Sequence, residues 1–170
     1  MSIHYPPAPD LSPAQVHIEK TRAPALLLPM FKLPLVLYRL RLGWLLGHRF
    51  MQLTHVGRRT GKVRRTILAV LDFDPQTREI KAVSAWNASE WYKNIQASPA
   101  QQVETGFTRY APVQRDLSAE EMAQLFVDYC REHPLFGRLV CRIPGWKWDS
   151  SYEEFLALAR TLRGVAFRPK

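Results

Sequence analysis

The sequence predicts an α+β fold, a small barrel of about six mostly antiparallel strands flanked by helices. Strand-like runs are short, rich in β-branched residues and divided by turn residues. Helical stretches are interspersed among them without the regular β-helix-β alternation of a doubly wound sheet. A chain of 170 residues is long enough to bury a core without metal or disulfide staples. Its 46% hydrophobic and 23% charged residues are ordinary for a globular protein.

Residues 1–23 hold four of the thirteen prolines and no apolar period, and read as an extended or disordered arm. Residues 24–47 form an apolar, basic segment interrupted by Pro29, Lys32, Pro34, Arg39 and Arg41. No uncharged run there approaches the roughly 18 residues of a membrane span. A helix is expected over 34–46, with proline in its first turn and Gly47 just past its end. Such a segment covers a barrel end or a dimer interface, or else lies in a membrane surface. In the second case Trp44 and the leucines are inserted and the arginines sit at headgroup level. The first is the commoner use of a cationic helix.

From 48 to 170 the pattern is that of the barrel domain. Strands are expected over 50–56 and 65–73, then a turn at Asp74-Pro75-Gln76-Thr77 and a returning strand over 78–86. Residues 89–97 read as a short helix with Ser89 as N-cap. Residues 101–108 and 110–115 form a second hairpin around a glycine-containing turn. Ser118-Ala119-Glu120-Glu121 has capping-box spacing and opens a helix that stops near His133, before Pro134. A further helix over 135–142, an amphipathic helix over 151–162 and a closing strand over 164–168 complete the chain.

Two cysteines, Cys130 and Cys141, accompany no secretory pattern, because the N-terminus has prolines and an acid where a basic start and an apolar core are needed. A cytoplasmic protein with free thiols is expected. With His133 the thiols make too few ligands for a metal site, and no metal is expected.

Charge is distributed unevenly. Between Thr21 and Leu71 there are ten Lys or Arg residues and no Asp or Glu, within a net charge of +9. The resulting field favours phosphorylated cofactors, nucleic acid or anionic lipid. No nucleic-acid reader motif accompanies it, so no nucleic-acid partner is expected. The charge concentrates in Gly57-Arg58-Arg59-Thr60-Gly61-Lys62-Val63-Arg64-Arg65-Thr66, where five cations, two glycines and two threonines lie between strand-like runs. Glycines let backbone amides approach a ligand and form an anion-binding concavity. Arginine adds a rigid fork of donors and lysine a point charge. The element reads as a phosphate clamp.

The run from Leu53-Thr54-His55-Val56 through this turn to Arg65-Thr66 resembles the deazaflavin-dependent nitroreductase family. The likeness continues in Ala82-Val83-Ser84-Ala85, in Trp91-Tyr92-Lys93-Asn94 and in Ser98-Pro99, in order and with sensible spacing. It implies a split β-barrel of the flavin-reductase type, often dimeric, that binds the 8-hydroxy-5-deazaflavin coenzyme (coenzyme F-420). That coenzyme carries a phosphodiester and an acidic glutamyl tail. The resemblance points to Arg59, Thr60, Gly61, Lys62 and Arg64 as its phosphate contacts, with Thr66 close by. Ser84, Trp91 and Tyr92 are implied near the ring system, and the two aromatics equally suit the core. Ile67 replaces a frequent family proline, and residues 86–90 are shorter than the Gly-Gly-Ala-Pro insertion of many members. Related barrels hold flavin mononucleotide (FMN), haem or fatty acid, and the shortened loop leaves these alternatives open.

Deazaflavin chemistry asks little of side chains beyond orientation and exclusion of water. The lack of a Ser-His-Asp constellation or paired carboxylates therefore suits an oxidoreductase acting on a small flat acceptor, such as a quinone or nitroaromatic, and argues against a hydrolase. No catalytic residue is singled out. His55 is read as facing solvent or the clamp. Tyr129, Trp146, Trp148 and Tyr152 either line an acceptor pocket or pack the helices together.

Overall fold

Two four-stranded antiparallel sheets share their edges in a computed structural model that describes residues 28–84, 89–135, 137–138 and 151–170. The first sheet has the order β2-β1-β5-β6, from β1 (Phe50–Val56), β2 (Val63–Ala69), β5 (Gln102–Thr105) and β6 (Thr108–Tyr110). The second has the order β3-β4-β8-β7, from β3 (Asp72–Phe73), β4 (Ile80–Ser84), β7 (Pro112–Asp116) and β8 (Arg163–Pro169). Only Val70 and Leu71 separate β2 from β3, and only Ala111 separates β6 from β7. At the first corner the Val70 amide donates to Arg49 beside β1, and the next amide, Leu71, donates to Lys81 of β4. Each edge of one sheet thus continues into an edge of the other, closing a barrel of six ribbons. This is the split-barrel, α+β architecture that the sequence predicted.

Alternation along the strands fills the interior. Met51 and Leu53 of β1, Ile80 and Ala82 of β4, Val103 of β5, and Val165 and Phe167 of β8 are buried together. Helix α2 (Glu90–Ala97) adds Trp91 and Ile95 to that cluster and plugs one end. β8 is covered on both faces, because Ala166 belongs to a second core with Met122, Phe126, Phe155 and Leu158. That core joins α3 (Ala119–Glu132) to α4 (Tyr152–Ala159), with the Phe126 and Phe155 rings 5.5 Å apart. Both helices begin with a complete capping box: Ser118 Oγ accepts from the Glu121 amide, and Ser151 Oγ from the Glu154 amide.

The N-terminal helix departs from expectation. α1 spans Leu28–Arg39, with Pro34 in its interior, and Gly43–Leu46 is a separate 3-10 turn. The helix stops early because Arg41 adopts φ +60°, with Leu42 N donating to Leu37 O and Arg41 N to Tyr38 O. These are the two bonds of a Schellman cap, a position where glycine is the usual occupant. Tyr38 anchors the helix: its hydroxyl donates to Phe50 O at 2.9 Å and Glu104 O at 3.3 Å, and burial pushes the phenol pKa up.

Smaller differences have local causes. β4 is described only from Ile80 to Ser84, and the expected extension to Trp86 lies outside the described residues. The second hairpin turns at Gly106 and Phe107, and its return strand switches sheets at Ala111 instead of continuing to Arg115 in one piece. The arm over 1–23 and most of the helix expected over 135–142 lie outside the described residues, as do Cys141, Trp146 and Trp148. Cys130 is a buried free thiol.

Candidate functional site

The cationic run forms the loop between β1 and β2. Strand pairing ends at Val56 and Val63, so residues 57–62 close the hairpin. Gly57 N donates to Lys62 O at 2.8 Å, and Gly57 O accepts from Thr60 N and Gly61 N at 3.1 and 2.8 Å. Gly61 has φ +64°, a left-handed conformation that costs a Cβ-bearing residue on the order of 1–2 kcal/mol. Gly57 is needed for space: a Cβ there would sit 2.9 Å from Arg64 Nε and 3.1 Å from Thr60 Oγ1. The Arg64 guanidinium is therefore folded over the start of the loop.

The five cations divide into two roles. Arg58 is engaged internally, donating to Glu90 Oε2 at 2.7 Å and Asn94 Oδ1 at 3.2 Å, while its backbone amide donates to the same Asn94 oxygen at 3.0 Å. The Arg58 hydrogen bond holds the Glu90 carboxyl below the usual range. Arg59, Lys62, Arg64 and Arg65 are exposed, and among the described residues none forms an ion pair with a carboxylate. Four cations on adjoining positions repel one another unless an anion sits among them. This donor set, over a tight loop whose first residue lies against the Arg64 guanidinium, fits a phosphodiester.

Helix α2 connects the loop to the other predicted positions. Asn94 and Glu90 hold the loop through Arg58, while Gln96 Nε2 and the Tyr92 hydroxyl donate to Asp116 of β7 at 3.0 and 3.3 Å. The Ser84 and Ser89 hydroxyls bond each other, tying the end of β4 to the start of α2. Ser89 is thus the N-cap by position, with no side-chain capping bond. Trp91 lies in the barrel core, its ring edge-on to Tyr92. Tyr92 lines an open cleft of about 340 Å³ with Asp116, Met122, Arg160 and Arg163. Arg163 is also the cross-strand partner of Ser84, so Ser84 and Tyr92 flank one region. Burial, with the Asp116 carboxylate adding to it, pushes the Tyr92 phenol pKa up.

His55, expected to face solvent or the clamp, is turned away from solvent and toward Thr66. Its side chain is 2% exposed, between Thr66 Oγ1 at 3.0 Å from Nε2 and Asn94 Nδ2 at 3.3 Å from Nδ1. Its position one residue before Val56 gave no hint of this, because burial here is imposed by α2 rather than by the strand's own pattern. Arg58 and Asn94 were also invisible as a pair, being 36 residues apart. Tyr129 packs beside His133 at 5.2 Å, and Tyr152 is exposed. Among the described residues no cluster of His, Cys, Asp and Glu has the geometry to hold a metal ion.

Residues 36–139, more than half of the chain, match the family of the F420H(2)-dependent quinone reductase. The chain belongs to this family. It is a deazaflavin-dependent oxidoreductase, and its cofactor is coenzyme F-420. Among solved structures, one described as an F420-H2 dependent reductase, FDR-A, shares 16% identity over 72% of this chain and 96% of its own, with TM-score 0.47. A domain-swapped dimer shares 17% over 82% of this chain and 99% of its own, with TM-score 0.48. HutZ of Vibrio cholerae, described as a haem storage protein, shares 11% over 75% and 85%, with TM-score 0.46. At this distance these likenesses bear on no residue of the site. Comparison with curated proteins finds no match.

Proposed function

We propose that the 57–66 loop grips the phosphodiester of coenzyme F-420 through Arg59, Lys62 and Arg64 and the Thr66 hydroxyl, with Thr60 and Gly61 shaping the turn that presents them. The observation that carries this reading is the division of labour among the cations: Glu90 neutralises Arg58, while its neighbours have no ion-pair partner among the described residues. Hydrogen bonds to charged groups contribute about 1.5–3 kcal/mol each, so three near the upper end of that range reach the roughly 8 kcal/mol of a micromolar complex. The ring would lie toward Ser84 and the cleft bordered by Tyr92 and Arg163. Arg160 and Arg163 there suit the acidic tail or a polarised acceptor oxygen. Trp91, at the base of α2, acts by fixing that helix.

When bound, the reduced coenzyme supplies a hydride, which with a proton from solvent converts a quinone to the hydroquinone. This chain's part is to hold the donor, orient the acceptor and limit water. A quinone is the proposed acceptor, on the strength of the family. Anaerobic titration of the protein with coenzyme F-420, followed by its fluorescence, should give a dissociation constant in the micromolar range. A water-soluble quinone should then reoxidise the bound reduced coenzyme. Failure to bind at tens of micromolar coenzyme, with binding of FMN instead, would overturn the assignment of this site.

One observation favours a membrane-surface contact for part of residues 24–47. Trp44 stacks on Phe107 of the β5–β6 hairpin, ring centroids 5.3 Å apart, and Leu40, Leu45 and Phe107 are exposed beside Arg39 and Arg41. Exposed apolar rings beside arginines suit an anionic bilayer interface, where a sparingly soluble quinone would also partition. Among the described residues no helix is long and apolar enough to cross a membrane. Phe107→Ser with Trp44→Ser should abolish co-sedimentation with phosphatidylglycerol vesicles, and unchanged sedimentation would dismiss the contact. The dimer that the family resemblance implies is checked by sedimentation velocity.

A further inference from the structure

Asn94 of α2 sets a chain of hydrogen bonds whose direction can be read without observing a proton. Its Oδ1 receives two N–H groups, the Arg58 amide at 3.0 Å and Arg58 Nη1 at 3.2 Å. A flipped amide would place its NH2 against both donors, so the oxygen belongs there. Nδ2 then faces His55 Nδ1 at 3.3 Å and donates to it. A ring nitrogen that accepts carries no hydrogen, which leaves neutral His55 with its proton on Nε2. Nε2 lies 3.0 Å from Thr66 Oγ1, and that hydroxyl must accept. The Thr66 proton is therefore turned away from His55 and available to another acceptor.

The placement gives this a purpose. Arg64 and Thr66 lie two residues apart on one face of β2, and Arg64 pairs directly with His55 across the hairpin. Asn94 is 3% and His55 2% exposed, so the relay is sealed from water that would scramble its direction. We propose that His55 is a positioning residue for the coenzyme: the Arg58–Asn94–His55 relay fixes the Thr66 hydroxyl as a donor to the bound phosphate. The same relay couples the anion site to α2 and, through Ser89, to Ser84 at the ring side. Burial, partly opposed by the backbone of Val56 and reinforced by Arg64, keeps the imidazole in the neutral form that the relay requires. The proposal rests on the phosphate-clamp reading and adds to it a direction and a donor.

The test combines two readouts on the full chain. Nitrogen-15 NMR of the histidine rings should show His55 as the Nε2–H tautomer before any coenzyme is added. Fluorescence titration with coenzyme F-420 then compares variants. Thr66→Val, close in shape and lacking the hydroxyl, should raise Kd about tenfold, the low end for a hydrogen bond to a charged group. His55→Asn keeps an acceptor for Asn94 but loses the donor to Thr66, and should weaken binding to a similar extent. The double variant should be no weaker than either single one, because both act through one hydroxyl. His55→Gln, which can place an N–H near the Nε2 position, should recover part of the loss. Additive losses, or an Nδ1–H tautomer, would overturn the relay. Full affinity in Thr66→Val while Arg64→Ala is weakened would also overturn it and leave the clamp standing. Full affinity in Arg64→Ala as well would remove the clamp reading itself.

Discussion

Replacing Gly57 with alanine separates the structural and binding demands on the 57–62 loop. The added Cβ would meet Arg64 Nε at 2.9 Å, Thr60 Oγ1 at 3.1 Å and Lys62 O at 3.4 Å. Carbon and nitrogen are most comfortable at about 3.5–4.0 Å, so the guanidinium must retreat by roughly half an ångström or more. Arg64 is exposed, and its retreat costs the fold little: less than the about 1–3 kcal/mol typical of overpacking in a core. The loss falls on the ligand. If one charge-assisted bond to phosphate goes, coenzyme Kd rises about tenfold or more. Gly61→Ala provides the contrast, because nothing lies within 4 Å of its added Cβ while its φ of +64° is unfavourable. That variant should lose on the order of 1–2 kcal/mol of stability with Arg64 still in place. Urea midpoints and fluorescence titrations on both proteins supply the measurements. Wild-type coenzyme affinity in both Gly57→Ala and Arg64→Ala would refute the reasoning.

The caps, the helical core and the two shielded imidazoles each have a measurable consequence. Ser118→Ala removes the N-cap of α3 and should cost about 0.5–2 kcal/mol in urea unfolding, with coenzyme affinity unchanged. Phe155→Ala opens a cavity against Phe126 between α3 and α4 and should cost about 3–5 kcal/mol; a loss under about 1 kcal/mol would show that this core is not packed as described. Burial lowers the pKa of His48 and His55 from the ordinary 6.5, so the unfolded chain takes up protons that the folded one refuses. Stability is therefore full well above that value and declines as pH falls through it toward the lowered folded-state values. A urea midpoint that stays flat over that fall would contradict the buried, neutral imidazoles.

Local signals carried most of the strand and helix positions. β1 spans the expected residues 50–56, and Ser118 and Ser151 open their helices with the acid three residues on. The failures occur where a distant partner overrides a local preference. Arg41 takes a left-handed cap that the sequence assigns to glycine, with Tyr38 fastening the preceding helix to β1 and β5. The corner at Val70 and Leu71 splits one expected strand in two because successive amides bond to different sheets. At the site, the cationic loop was legible from composition alone, whereas the roles of its members were not. Nothing in the order Arg58-Arg59 reveals that the first is bound to Glu90 and Asn94, since that depends on how α2 docks. Trp91 illustrates the same limit, because its helical spacing suited the barrel core and a ring pocket equally.

β8 lies between β4 and β7, yet it is synthesised after every other described strand. Until it emerges from the ribosome, the second sheet is a short β3–β4 hairpin and a separate β7, each with a bare edge and an uncovered apolar face. Neither α3 nor α4 has its full floor before then, since Ala166 belongs to their core. Closure of the cylinder is accordingly a late, long-range event, slow by its topology and exposed to strand addition from other nascent chains. Chains halted before Arg163 should accumulate as chaperone clients or aggregates, even though the whole β1–β2 clamp has already been made.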